Sequence, residues 1–98
     1  MILSYRDKRT AAFAAGDEVA QFRAFAEQAY KRLRILEAAT SLADLRGLPS
    51  NRLEALRGKR TGQWSIRINQ RWRVCFEWSE HGGGAENVEF VDYHGEKS

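Results

Sequence analysis

Asp92, Tyr93 and His94 stand consecutively after a short apolar-alternating stretch, and their types suggest proton transfer. A neutral imidazole, ordinarily titrating at about 6.5, gives or takes a proton at pH 7; a phenol, at about 10, needs cationic surroundings to act as a base. This chain has such surroundings. Between residues 46 and 73, Arg46, Arg52, Arg57, Lys59, Arg60, Arg67, Arg71 and Arg73 stand against a single acid, Glu54. The combination suits cleavage of RNA by its own 2′-hydroxyl: one group removes that proton, another protonates the departing 5′ oxygen, and arginine steadies the extra charge on phosphorus. That chemistry requires no metal and no cofactor. Taken alone, the triplet reads more readily as a packed tyrosine and a histidine capping a strand. His81, in a Gly-rich loop, reads as a turn residue.

The charge distribution bears on the same question. Residues 1–45 are nearly balanced, and residues 74–98 carry one lysine against six acids, so the formal charge of +3 conceals a strongly basic middle. Such a block is an electrostatic footprint for phosphate. It also suits a solvated face that keeps the protein soluble, and charge alone does not choose between the two.

The elements that must position these residues follow from periodicity. A run of helix formers from Arg6 ends at Gly16, a natural stop, and predicts two to three helical turns. Asp17 then sits where an N-cap belongs, and Val19, Phe22, Phe25, Ala26, Ala29, Tyr30, Leu33 and Leu36 recur at helical steps, which predicts one amphipathic helix over 18–38. "TSLADLRGLPS" offers a capped single turn ended by Gly47 and Pro49. From Trp64 onward the period becomes two. Trp64, Ile66 and Ile68, then Trp72, Val74, Phe76 and Trp78, then Val88 and Phe90 alternate with other residues, so the reading is an antiparallel meander with one buried face. "NQR" is short enough for a tight hairpin and "SEHGGGAEN" reads as a longer flexible turn. "ILSY" suggests a first strand too short to stand alone, and "NRLEALRG" is either a further strand or an irregular lead-in.

The fold class is therefore α+β, with N-terminal helices packed on one face of an antiparallel sheet of three to five strands. The three tryptophans belong to that buried face. Arg67, Arg73, Glu77 and Glu89 then point the other way, onto an open face beside the loop bearing Arg57, Lys59 and Arg60. Arginines so placed can hold phosphate bidentately.

Size and composition fit one domain spanning residues 1–98, with 43% hydrophobic residues and a single core. The lone Cys75 excludes an internal disulfide, argues against a structural zinc site, and reads as a small strand residue. Apolar runs are far short of a membrane span and the first residues hold no apolar signal region, so the expected location is cytoplasmic, away from membranes.

Four linked segments sharpen the reading: Leu56-Arg57-Gly58, Gly62 to Ile66 (G-x-W-S-I), Asn69 to Arg73 (N-x-x-W-R) and the Asp92-Tyr93-His94 triplet. In this order and spacing, over nearly the whole chain, they resemble the HigB toxins, or plasmid maintenance system killer proteins, of the RelE/ParE superfamily. The resemblance implies a microbial RNase-like sheet and a type II toxin that enters the ribosomal A site, cuts mRNA and stops translation. It implies a HigA-type helix-turn-helix antitoxin as partner, with operator DNA bound through the complex. Carried across, Arg73 is the arginine expected at the scissile phosphate, and Asp92, Tyr93 and His94 match the catalytic segment. Arg57 falls at a basic position that helps hold RNA, with Lys59, Arg60 and Arg67 as neighbours in that task. Some members carry a His where this chain has Glu54, so Glu54 is a further candidate for proton transfer. A competing reading is a module that binds RNA or the ribosome, or supports repression, without cleaving. A DNA-binding domain acting alone is disfavoured, because no helix-turn-helix pattern appears.

Overall fold

The computed structural model of the chain describes residues 1–92; Tyr93 and His94 lie outside the described residues. Helix α1, Lys8–Ala14, begins where the Asp7 carboxylate accepts from the Thr10 N–H at 3.3 Å, satisfying one of the donors that a helix start leaves orphaned. It stops at Gly16, whose φ of +104° lies in the left-handed region. There the Gly16 N–H donates to the Phe13 carbonyl and the Asp17 N–H to the Ala12 carbonyl, both at 3.0 Å. These paired bonds form a Schellman stop. Asp17 therefore closes α1 and does not cap the next helix, contrary to the expectation from its residue type.

The single helix expected over 18–38 is divided into a 3-10 segment, Ala20–Phe25, and helix α2, Ala26–Ala38. Phe25, at φ −128° and ψ 24°, interrupts the helical run. Packing accounts for the tighter winding. Three residues per turn stacks Phe22 and Phe25 on one side, and both rings meet Trp72, with centroids 5.7 and 4.9 Å away. Helix α3, Leu42–Arg46, is the expected capped turn, with Ser41 accepting from the Asp44 N–H at 3.2 Å.

Among the described residues, four antiparallel strands form one sheet in the order β1 (Glu54–Ala55), β2 (Trp64–Arg67), β3 (Trp72–Ser79), β4 (Gly84–Asp92). The α+β meander read from period two is thus observed, and "NRLEALRG" supplies a two-residue edge strand. The β2–β3 turn is tight because the Asn69 side chain accepts from the N–H groups of Arg71 and Trp72, each at 2.8 Å. The loop before β4 is shorter than expected, since Gly84 to Asn87 already belong to the strand. Gly84 serves close approach: a Cβ there would meet the Met1 carbonyl oxygen at 2.4 Å. The first residues run parallel to β4 and touch it in two isolated bridges, Ile2 with Ala85 and Tyr5 with Val88, so "ILSY" contributes no full strand.

The core lies between helices and sheet. Phe13, Phe22, Leu33 and Leu36 pack on Ile66, Val74, Phe76, Val88 and Phe90, with Trp64, Trp72 and Trp78 partly buried against them. A second, smaller cluster of Leu56, Cys75 and Val91 covers part of the opposite face. That face is therefore not uniformly open.

Candidate active site

Strand register sets out the polar face row by row. Glu54 pairs with Ser65, which pairs with Cys75, which pairs with Glu89; on the next row of that face Arg67 pairs with Arg73, and Arg73 with Val91. Residues opposite one another in a sheet share a face. Glu54, Ser65, Arg67 and Arg73 thus converge on the side away from the helices, where alternation placed Arg67 and Arg73.

Arg73 departs from expectation in one respect: it is only 7% exposed. A guanidinium buried this far must be hydrogen-bonded. Its Nε donates to the Ser65 Oγ at 2.7 Å, its Nη2 donates to the Arg52 carbonyl at 2.6 Å, and Nη2 lies 4.0 Å from Glu54 Oε1. Ser65 is fully buried. Arg52 can present its carbonyl because its backbone is left-handed, at φ 47° and ψ 54°, a conformation that costs a non-glycine residue on the order of 1–3 kcal/mol. The surrounding contacts hold that strain in place.

The other expected residues fall in different settings. The Glu54 side chain is 53% exposed and borders Arg73, so a carboxylate reachable from solvent stands beside a fixed cation. The Arg67 Nε donates to the Asn69 carbonyl at 3.2 Å, and the Arg67 carbonyl accepts from Arg32 Nε at 2.6 Å. Arg57 and Lys59 are exposed on the connection from β1 to β2. Arg60, from the same connection, turns inward: its Nη1 reaches both Gln63 Oε1 and Glu89 Oε1 at 2.9 Å. Asp92 pairs in register with Trp72, not with Arg73, and its carboxylate accepts from Arg71 Nη2 at 2.5 Å. The structure therefore brings Arg73, Arg67 and Glu54 together, sets Arg57 and Lys59 on an adjoining loop, and does not place Asp92 on the same face. Tyr93 and His94 are outside the described residues.

Three contacts were not singled out by sequence: Ser65 and Arg52 at Arg73, and Arg71 at Asp92. Ser65 carried one signal, since it alternates on the same face as Arg67. Among the described residues, no group of three or more His, Cys, Asp or Glu could hold a metal ion. What the arrangement can do is stabilise negative charge at one point with a cation that needs little reorganisation.

Residues 3–94 match the HigB-like toxin family, described as the RelE-like toxin of type II toxin-antitoxin system HigB. The chain is 42% identical over 65 residues to "Toxin HigB-1" of Vibrio cholerae serotype O1 (strain ATCC 39315 / El Tor Inaba N16961), covering 66% of this chain and 65% of that protein. It is 33% identical over 63 residues to "Endoribonuclease HigB" of Proteus vulgaris, covering 64% of this chain and 65% of that protein. The matches span 65% of the length of each relative. With residues 3–94 matched, this chain belongs to the HigB-like family of RelE-like toxins from type II toxin-antitoxin systems.

Proposed function

We propose that this protein, as one toxin domain over residues 1–98, is an endoribonuclease that cuts mRNA in the ribosomal A site and so inhibits translation. The observation that carries the reading is the Arg73 guanidinium, held by Ser65 and the Arg52 carbonyl beside Glu54 on a basic sheet face. In the proposed reaction the substrate 2′-oxygen attacks phosphorus and the bond to the 5′-oxygen breaks. A protein base takes the 2′-hydroxyl proton and a protein acid returns one to the leaving oxygen. Tyr93 and His94 fill these two roles in either assignment, with Glu54 as a further base and Arg73 bearing the charge that gathers on the phosphate. Asp92 belongs to the same candidate catalytic segment. Arg57, Lys59, Arg60 and Arg67 hold RNA, and no metal enters the chemistry. The partner that neutralises the toxin is a HigA-type helix-turn-helix antitoxin, and the complex binds operator DNA. The chain acts in the cytoplasm, where ribosomes are; among the described residues no helix is long and apolar enough to cross a membrane.

The test is primer extension on mRNA from programmed ribosomes incubated with the protein. Cuts in the A-site codon that disappear in Arg73→Ala are expected, and their absence with the unaltered protein would overturn the reading. A second reading, ribosome blockade without cleavage, draws on the Glu54 carboxylate, which competes with a phosphate for Arg73. It requires His94→Ala to inhibit growth as strongly as the parent, whereas the nuclease reading requires marked relief.

A further inference from the structure

A cleft of about 620 Å³ opens between α2, the turn Pro49–Asn51 and the β2–β3 connection, and its walls include Gln28, Arg32, Arg52, Arg67 and Asn69. Among the described residues, no carboxylate lines it. This sets its three arginines apart from six others of the chain. Elsewhere on the chain Arg6 lies near Glu77 and Glu89, Arg9 near Asp7, Arg23 near Glu18, Arg60 near Glu89, Arg71 near Asp92 and Arg73 near Glu54.

Within the cleft the visible partners are neutral. Arg32 and Arg67 donate through Nε to the backbone carbonyls of Arg67 and Asn69. These bonds fix the two side chains without neutralising them. Gathered like charges oppose the compact state, so a lasting arrangement of this kind points to a ligand that supplies the counter-charge. Two residues also tie the cleft to the candidate active site: Arg52 offers its carbonyl to Arg73, and Arg67 stands directly across the strands from Arg73.

We infer that this cleft is a second backbone subsite, holding a phosphodiester of the same single-stranded RNA whose scissile bond lies at Arg73. The ligand's identity as substrate RNA rests on the ribonuclease reading above. Arg32, Arg52 and Arg67 supply charge and fork-shaped donors for phosphate oxygens, while the polar walls at Gln28 and Asn69 suit a strand bound without base-specific readout. The subsite fixes the register of the strand, and Arg73 acts on the bond so presented.

The same phosphate chemistry is offered by ribosomal RNA, so the experiment has two arms. In the first, fluorescence anisotropy follows a labelled 2′-O-methyl single-stranded RNA, which cannot be cleaved, binding to the full chain across a KCl series. Arg52→Gln and Arg32→Gln are each expected to weaken binding several-fold at low salt and to reduce the slope of log K against log salt by about 0.7. Arg34→Gln, in a separate cleft with Glu37, should leave the slope unchanged. Because Arg32 also anchors the Arg67 backbone, Arg32→Lys separates charge from anchoring and should keep most of the slope. Slopes for Arg52→Gln and Arg32→Gln equal to the parent's overturn the inference. In the second arm, binding to small ribosomal subunits without mRNA is measured; a loss seen there and not with the free RNA assigns the cleft to the ribosome and overturns the substrate subsite. The cleavage assay stands apart from both. Cutting with unchanged slopes removes the cleft and leaves the nuclease, whereas altered slopes without cutting keep an RNA cleft and remove the nuclease.

Discussion

A buried guanidinium is useful only if its donors are aimed before the substrate arrives, and among the described residues two groups aim Arg73. Ser65 Oγ takes Nε and the Arg52 carbonyl takes Nη2. Removing the hydroxyl in Ser65→Ala leaves a buried charged donor without its acceptor, a loss of about 1–3 kcal/mol of stability. It also loosens the angle of the guanidinium. Single-turnover cleavage should then slow on the order of 10–100-fold while KM for RNA stays near that of the parent, because misplacement acts on the transition state. A cleavage rate equal to the parent's, with stability lowered, would reduce Ser65 to a structural residue. Alternation in the sequence was enough to put Arg73 and Arg67 on one face. It could not show Arg52, whose contribution is a carbonyl turned by a left-handed backbone, a conformation that nothing in an arginine's residue type signals.

The elements around that clamp were legible in proportion to how far their period differs from the alternatives. Strand alternation separates cleanly from helical spacing over eight residues, so β3 and β4 were readable; a six-residue 3-10 segment drifts too slowly from an α-helix for apolar spacing to tell them apart. Capping was readable at α3 but not at Asp17, and α3 matters to the site because the Asn51 side chain donates to the Leu45 carbonyl at 3.0 Å, anchoring the turn that leads into Arg52. Helix α3 is held by a reciprocal cap. Ser41 accepts from the Asp44 N–H, and the Asp44 carboxylate accepts from the Thr40 N–H and the Thr40 hydroxyl, both at 2.9 Å. Those bonds, the Thr40 N–H foremost, hold the Asp44 carboxyl below its ordinary titration range. A lowered folded value stabilises the native state at pH above the unfolded value, and that contribution is lost as pH falls through the folded one. Urea unfolding of Asp44→Ala should therefore show lower stability than the parent at neutral pH, with the difference shrinking once the medium is more acidic than a normal carboxylate. A difference that stays constant from neutral pH into acid would show that the ionised carboxylate is not what holds α3.

Across the whole molecule, the basic block read from residues 46–73 overstates the field that a partner meets. Strand β4 brings acids back against it: Glu89 binds Arg60 and Asp92 binds Arg71, while Glu54 lies beside Arg73. Arg46 is turned over the Trp64 ring, 5.9 Å from its centroid. The field that reaches solvent is then carried largely by Arg57, Lys59 and the arginines of the cleft, a distribution that linear charge counting could not resolve. Arg57 and Lys59 are exposed and, unlike Arg60, are turned to solvent, so they are the residues with which to test electrostatic steering apart from folding. Replacing both by glutamate reverses the local field yet should leave unfolding free energy within about 0.5 kcal/mol of the parent, as is usual for surface substitutions that break no contact. Inhibition of a cell-free translation reaction at low salt should fall on the order of 10-fold, because approach to a phosphate-rich surface is slowed. Raising the salt should close the gap between variant and parent by screening the parent's advantage. If the doubly substituted protein inhibits as well as the parent at low salt, this loop lies outside the RNA-facing surface, and the cleft with Arg73 must capture RNA without it.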